Sequence, residues 1–139
     1  MSKVYKKFVS PELAIELQKF NYNTDECFGY FVKQIDETYL LHLYQDEHDG
    51  YTNKDLRIDA PLISEVLDWL FEKHHIHIEF QFNDYTWFAY IGKLTVPDFS
   101  PDIVLRLDIE PESFDQVLEE RRNIILLAIH NALSLINKN

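Results

Sequence analysis

A chain of 139 residues that is 46% hydrophobic and 14% aromatic is long enough to bury a core and too apolar to remain disordered. Its 24 acids against 13 dispersed bases leave a formal charge of −11, which disfavours a phosphate-tracking surface, so no direct nucleic-acid binding is expected. No apolar run approaches the roughly 18–20 residues that span a bilayer, the basic MSKVYKKF start lacks a signal-peptide apolar region, and Cys27 stands alone.

These limits point to one α+β domain over residues 1–139, at work in a reducing cytoplasm without membrane attachment or cofactor.

In chain order, Ser10-Pro11-Glu12 starts a helix: a hydroxyl cap, a proline at the first position and an acid in the positive first turn. Leu13, Ala14, Leu17 and Phe20 supply its apolar stripe. Residues 27–33 and 38–44 read as strands rich in aromatic and branched side chains, joined by Gln34–Glu37. Cys27 is then a small core residue. Residues 45–53 form a polar loop without the ligand pattern of a calcium-binding hand. LRID at 56–59 is a short extended lead-in.

The periodicity predicts a helix from Pro61 to about His74, with Leu62, Ile63, Val66, Leu67, Leu70 and Phe71 on one side. From His75 the period falls to two. A turn at Asn83-Asp84 would pair Phe82 with Tyr85, Phe80 with Trp87, Ile78 with Ala89 and Ile76 with Ile91 on an apolar face. The other face would carry His75, His77, Glu79, Phe88 and Tyr90. Residues 93–112 are connectors around IVLRLDI (103–109), which alternates enough for a strand but also fits an ordered loop. Ser113 and Gln116 form a capping box for a last helix whose buried line runs Phe114, Leu118, Ile125, Ala132 and Ile136, with Leu127 on its wet side.

The order α-β-β-α-β-β-α implies a two-layer α+β sandwich, with helices packed on a mostly antiparallel sheet. Several strings then stand out: Ser-Pro-Glu-Leu-Ala (10–14), Ala-Pro (60–61), Asp-Trp-Leu-x-Glu-Lys-His (68–74), Ile-His-Ile (76–78) and Ala-Leu-x-Leu-Ile (132–136). Over residues 10–136 the chain resembles uncharacterised small proteins encoded in phages, prophages and mobile elements of gut Bacteroidales-type bacteria. The resemblance implies a genomic setting and carries no catalytic residues.

For function, the mixed face of His75, His77, Glu79, Phe88 and Tyr90 suits a protein interface, because aromatics beside polar groups are enriched there. The expectation is a non-enzymatic protein that contacts another protein, itself or a host protein, with homodimerisation through that face or the last helix. A second reading makes His75, His77 and Glu79 ligands of a metal-dependent hydrolase, since residues i and i+2 of a strand point the same way. A third takes the eight carboxylates between Asp98 and Glu120 as an acidic decoy for a basic, nucleic-acid-binding host protein. No glycine-rich phosphate loop and no nucleophile elbow is present.

Overall fold

The computed structural model describes residues 3–24, 27–44, 57–94 and 101–136. The polar loop at 45–53 and the Asp98 end of the acidic run lie outside the described residues. The chain divides into two compact units, Met1–Ser64 and Glu65–Asn139. Its strands form two antiparallel three-stranded sheets, which with the helices make an α+β fold.

In the first unit a 3₁₀ turn (Lys3–Lys7) leads to α1 (Pro11–Gln18), β1 (Gly29–Lys33), β2 (Tyr39–Leu43) and β3 (Arg57–Ala60). The predicted cap forms: Ser10 Oγ accepts from the Leu13 N–H at 3.3 Å, and Leu13, Ala14 and Leu17 are buried. The sheet order is β2-β1-β3, so β1, with four buried residues in a row, is central. Between β1 and β2, Glu37 adopts φ 70°, and Asp36 accepts from the Thr38 N–H at 3.1 Å and hydroxyl at 2.6 Å. That is the geometry of a short hairpin loop closed by a left-handed residue.

Cys27 precedes β1 and is half-buried, so it is not the strand-borne core residue the sequence suggests. At Gly29 a side chain would not fit. A Cβ there would stand 2.9 Å from the His42 carbonyl oxygen and 3.4 Å from the Phe8 ring, which is itself buried.

The predicted helix at Pro61 starts later. Pro61 and Leu62 pair with the N-terminal segment, the Val9 N–H donating to the Pro61 carbonyl at 3.0 Å and Phe8 bridging Leu62. The helix α2 therefore runs Ile63–His74, with Val66 and Leu70 buried. Its exit is sharp because His75 takes φ 58° and its N–H closes onto the Phe71 carbonyl at 3.1 Å, a left-handed helix cap.

The second unit continues with β4 (Ile76–Asn83), β5 (Thr86–Leu94), β6 (Pro101–Ile109), a 3₁₀ turn (Phe114–Gln116) and α3 (Val117–Leu133). The sheet order is β4-β5-β6. The hairpin turn falls at Asp84-Tyr85, one residue later than predicted, with φ 52° and 62°. Phe82 therefore faces Trp87, Phe80 faces Ala89, Ile78 faces Ile91 and Glu79 faces Tyr90. Moving the turn by one residue shifts the pairing by two, so every side chain keeps its predicted face. The later turn sets the Phe82 and Trp87 rings 4.8 Å apart.

The alternating 103–109 segment is a strand after all, longer than its core pattern because it begins at Pro101. Val104 is the extra residue of a bulge between the Ile91 and Gly92 pairings. The Trp87, Ala89 and Ile91 side of the sheet meets α3: the Trp87 indole N–H donates to the Val117 carbonyl at 2.8 Å. Ala89 and Ile91, with Ile124, Ala128, Ile129, Ala132 and Leu133, have no exposed surface.

Two predictions at the start of α3 fail. Ser113 makes no side-chain cap, because Gln116 Oε1 accepts from the Glu112 N–H at 3.2 Å instead. The predicted buried line also stops short of its first two members, since Phe114 is 91% and Leu118 71% exposed.

Candidate functional site

The residues singled out for the mixed face are placed unequally. His77, Glu79, Phe88 and Tyr90 share the side of the second sheet that faces away from α3, as the strand period requires. His75 is not among them. It occupies the left-handed cap between α2 and β4, so the i, i+2 rule does not put it beside His77.

On that face Phe88 and Tyr90 are half-buried and engaged with their neighbours, while Phe71, which meets His77, is 46% exposed. Phe88 and Tyr90 stack with centroids 6.3 Å apart, the Arg106 guanidinium stands 5.8 Å over Phe88, and Phe71 meets His77 edge-on at 5.9 Å. What reaches solvent is chiefly polar: Glu79, Gln81, Arg106 and Asp108 are exposed. Among the described residues no three His, Cys, Asp or Glu side chains come together as a metal-holding group.

A second polar cluster lies on the first sheet, where one cross-strand row sets His42, Tyr30 and Asp59 side by side. The Tyr44 hydroxyl donates to the Asp59 carboxylate. Arg57 stands 5.1 Å over the Tyr30 ring and 5.7 Å from the Tyr44 ring, and Tyr30 stacks on His42 at 5.4 Å. Burial, and then the hydrogen bond to Asp59, push the Tyr44 hydroxyl up to about 12. Tyr44 thus keeps its proton at neutral pH, as a firm hydrogen-bond donor and a poor acid and nucleophile.

An unfolded tyrosine ionises near 10.0, so the stabilisation from the neutral Tyr44 hydroxyl is whole below that pH and fades as pH rises toward about 12. Absorbance titration should show late phenol ionisation that includes Tyr44, and Asp59→Asn should move that component earlier. A titration unchanged by Asp59→Asn would break this assignment.

The exposed apolar surface gathers elsewhere, at the head of α3. Phe114 and Leu118 lie one turn apart and are largely exposed, beside Val117, whose carbonyl is held by Trp87. Phe82, tilted against Trp87, is also exposed, and Tyr85 at the hairpin tip is 83% exposed. The stripe that buries the rest of α3 thus runs on past the sheet that covers it.

On the chain-entry side of this patch the charge has one sign, and the first cations, Arg121 and Arg122, follow Leu118 by one helical turn. Asp108, Glu110, Glu112, Asp115 and Glu119 are exposed, and no Lys or Arg occurs between Leu107 and Glu120. The helix N-terminus accounts locally for Asp115 and Glu119. It does not account for Asp108, Glu110 and Glu112, which precede the helix.

Sequence reasoning missed this patch because Phe114 and Leu118 carry the same 3.6-residue period as the true core. The available signal was the density of acids interleaved with those two side chains. Among the described residues no helix is long and apolar enough to cross a membrane. No protein-family model, no curated protein sequence and no solved structure matches the chain.

Proposed function

We propose that this chain is a non-enzymatic protein that acts by contacting another protein, through the head of α3. The observation that carries the reading is the exposure of Phe114 and Leu118 on the same stripe that forms the core farther along the helix. Each such side chain gains roughly 1.5–3 kcal/mol when fully buried, and exposed apolar groups rimmed by charge are a common mark of protein contact sites.

The rim selects the partner. A basic surface complements Glu110, Glu112, Asp115 and Glu119, whereas a second copy of the same patch would set like charges together. This favours the acidic-decoy form of protein contact over symmetric self-pairing at this patch. The phage or mobile-element setting implied by the resemblance makes a basic cytoplasmic host protein the first partner to seek. The mixed face of His77, Glu79, Phe88 and Tyr90 has its rings engaged within the sheet, and so contributes less to this reading.

The test is capture of partners by the intact chain and by a Phe114→Ser/Leu118→Ser variant. A partner held by the first, lost by the second and weakened by salt supports the proposal. A partner held equally by both places the contact elsewhere.

A further inference from the structure

The acidic chain holds a cleft where the charge reverses. A cleft of about 430 Å³ lies at the C-terminal end of α2, and four of its seven lining residues are Lys73, His74, His75 and Lys93. None of the lining residues is acidic, in a chain with 24 acids and 13 bases. Leu94, Leu135 and Ile136 complete the wall, so cationic groups stand over an apolar floor.

Local structure brings these groups together. The left-handed cap at His75 turns the chain from α2 into β4, and the Leu94 N–H donates to the His75 carbonyl at 2.8 Å. That bond fixes the end of β5 against the helix exit and carries Lys93 to the same rim. The negative end of the helix explains a cation at Lys73. It does not explain Lys93, which comes from a strand.

His74 has a further peculiarity. Its ring meets Trp69 edge-on at 4.6 Å, and its Nε2 is buried without a hydrogen-bond partner. Burial, and then the neighbouring Lys73 and His75, hold its pKa below the ordinary histidine value. The neutral ring can still donate or accept one bond, and a buried polar atom left without one is destabilising.

We infer that this cleft binds a small organic anion with an apolar body, its head group held by Lys73 and Lys93 beside the two imidazoles and its body against Leu94, Leu135 and Ile136. The volume lies within the roughly 300–1,000 Å³ of ordinary small-molecule sites. A purely inorganic anion would leave the apolar floor unused, and a cation would meet like charge. The inference is independent of the contact surface at α3.

Amide chemical-shift titration of the full chain tests it, with hexanoate as probe and acetate and hexylamine beside it. Saturable shifts are expected at Lys73–His75, Lys93–Leu94 and Leu135–Ile136 with hexanoate, weaker ones with acetate and none with hexylamine. Lys73→Met/Lys93→Met keeps the aliphatic stems and should weaken hexanoate about tenfold or more, through two lost charge-assisted contacts. His75→Gly is a second variant that favours the fold, because glycine suits the left-handed cap, and it too should bind more weakly. Absence of saturable shifts overturns the proposal, as does hexylamine binding like hexanoate or unchanged affinity in both variants. Acetate binding as tightly as hexanoate would overturn the apolar half of the ligand.

Discussion

Trp87→Ala should lower the unfolding free energy by about 3 kcal/mol, toward the lower end of aromatic truncations because the ring is half-buried. The indole does two things at once. It packs at a tilt against Phe82, ring centroids 4.8 Å apart, and its N–H holds the Val117 carbonyl at 2.8 Å, where α3 begins. Trp87→Phe keeps most of the packing and loses only the hydrogen bond, a cost of about 1 kcal/mol. Urea unfolding followed by circular dichroism separates the two variants. Hydrogen exchange should quicken at the first turn of α3 in both, because the indole bond is the tether found there. An alanine variant as stable as the parent would mean that the head of α3 is held by something else.

Phe114→Ser/Leu118→Ser should leave folding stability within about 0.5 kcal/mol of the parent, as surface substitutions generally do. Two large apolar side chains placed on a core stripe would ordinarily cost several kcal/mol on such a change, so near-neutrality is itself informative. Partner affinity should fall at least a hundredfold, since burial of roughly 1.5–3 kcal/mol per side chain would be lost from the interface. Thermal unfolding and binding measured on the same preparation distinguish the cases. A strongly destabilised variant would show that the two residues belong to the core. A stable variant that binds as well as the parent would place the contact elsewhere.

Much of the fold is legible in local pattern, for reasons visible at particular residues. Ser10 and Pro11 announce α1 because a cap and a fixed φ act over three residues. The faces of the β4–β5 hairpin follow from alternation, and they survive the misplaced turn because a one-residue move there changes the pairing by an even step. Pro61 misleads because its role is settled by a distant partner, Val9, which turns a helix start into a bridge.

The division of the strands into two sheets was likewise out of reach. Which strand β1 takes as its second neighbour depends on pairing across long separations, and β3 is only four residues long.

The candidate sites were less legible than the fold. Helical periodicity reports which side of α3 faces inward and is silent about where the sheet beneath it ends. Phe114 and Leu118 therefore read as core. His75 read as the first residue of a strand because it continues the alternation, although its backbone is left-handed. Lys73 and Lys93 are separated by a whole hairpin, and the pairing of Lys93 with Ile76 and the bond from Leu94 to His75 make them neighbours. His77, Glu79, Phe88 and Tyr90 were correctly grouped on one face, yet ring stacking and Arg106 occupy its aromatic surface.

The most direct measurement is photo-crosslinking from a benzophenone amino acid at position 118, in a cell that produces the protein, with position 35 as control. Both sites are exposed, Leu118 at the head of α3 and Ile35 in the β1–β2 loop. The account predicts a discrete adduct with a basic protein from position 118, reduced by replacing Glu110, Glu112 and Glu119 with glutamine, and no such adduct from position 35. The same adduct from both positions, or an adduct from position 118 only with a second copy of the chain, would contradict it.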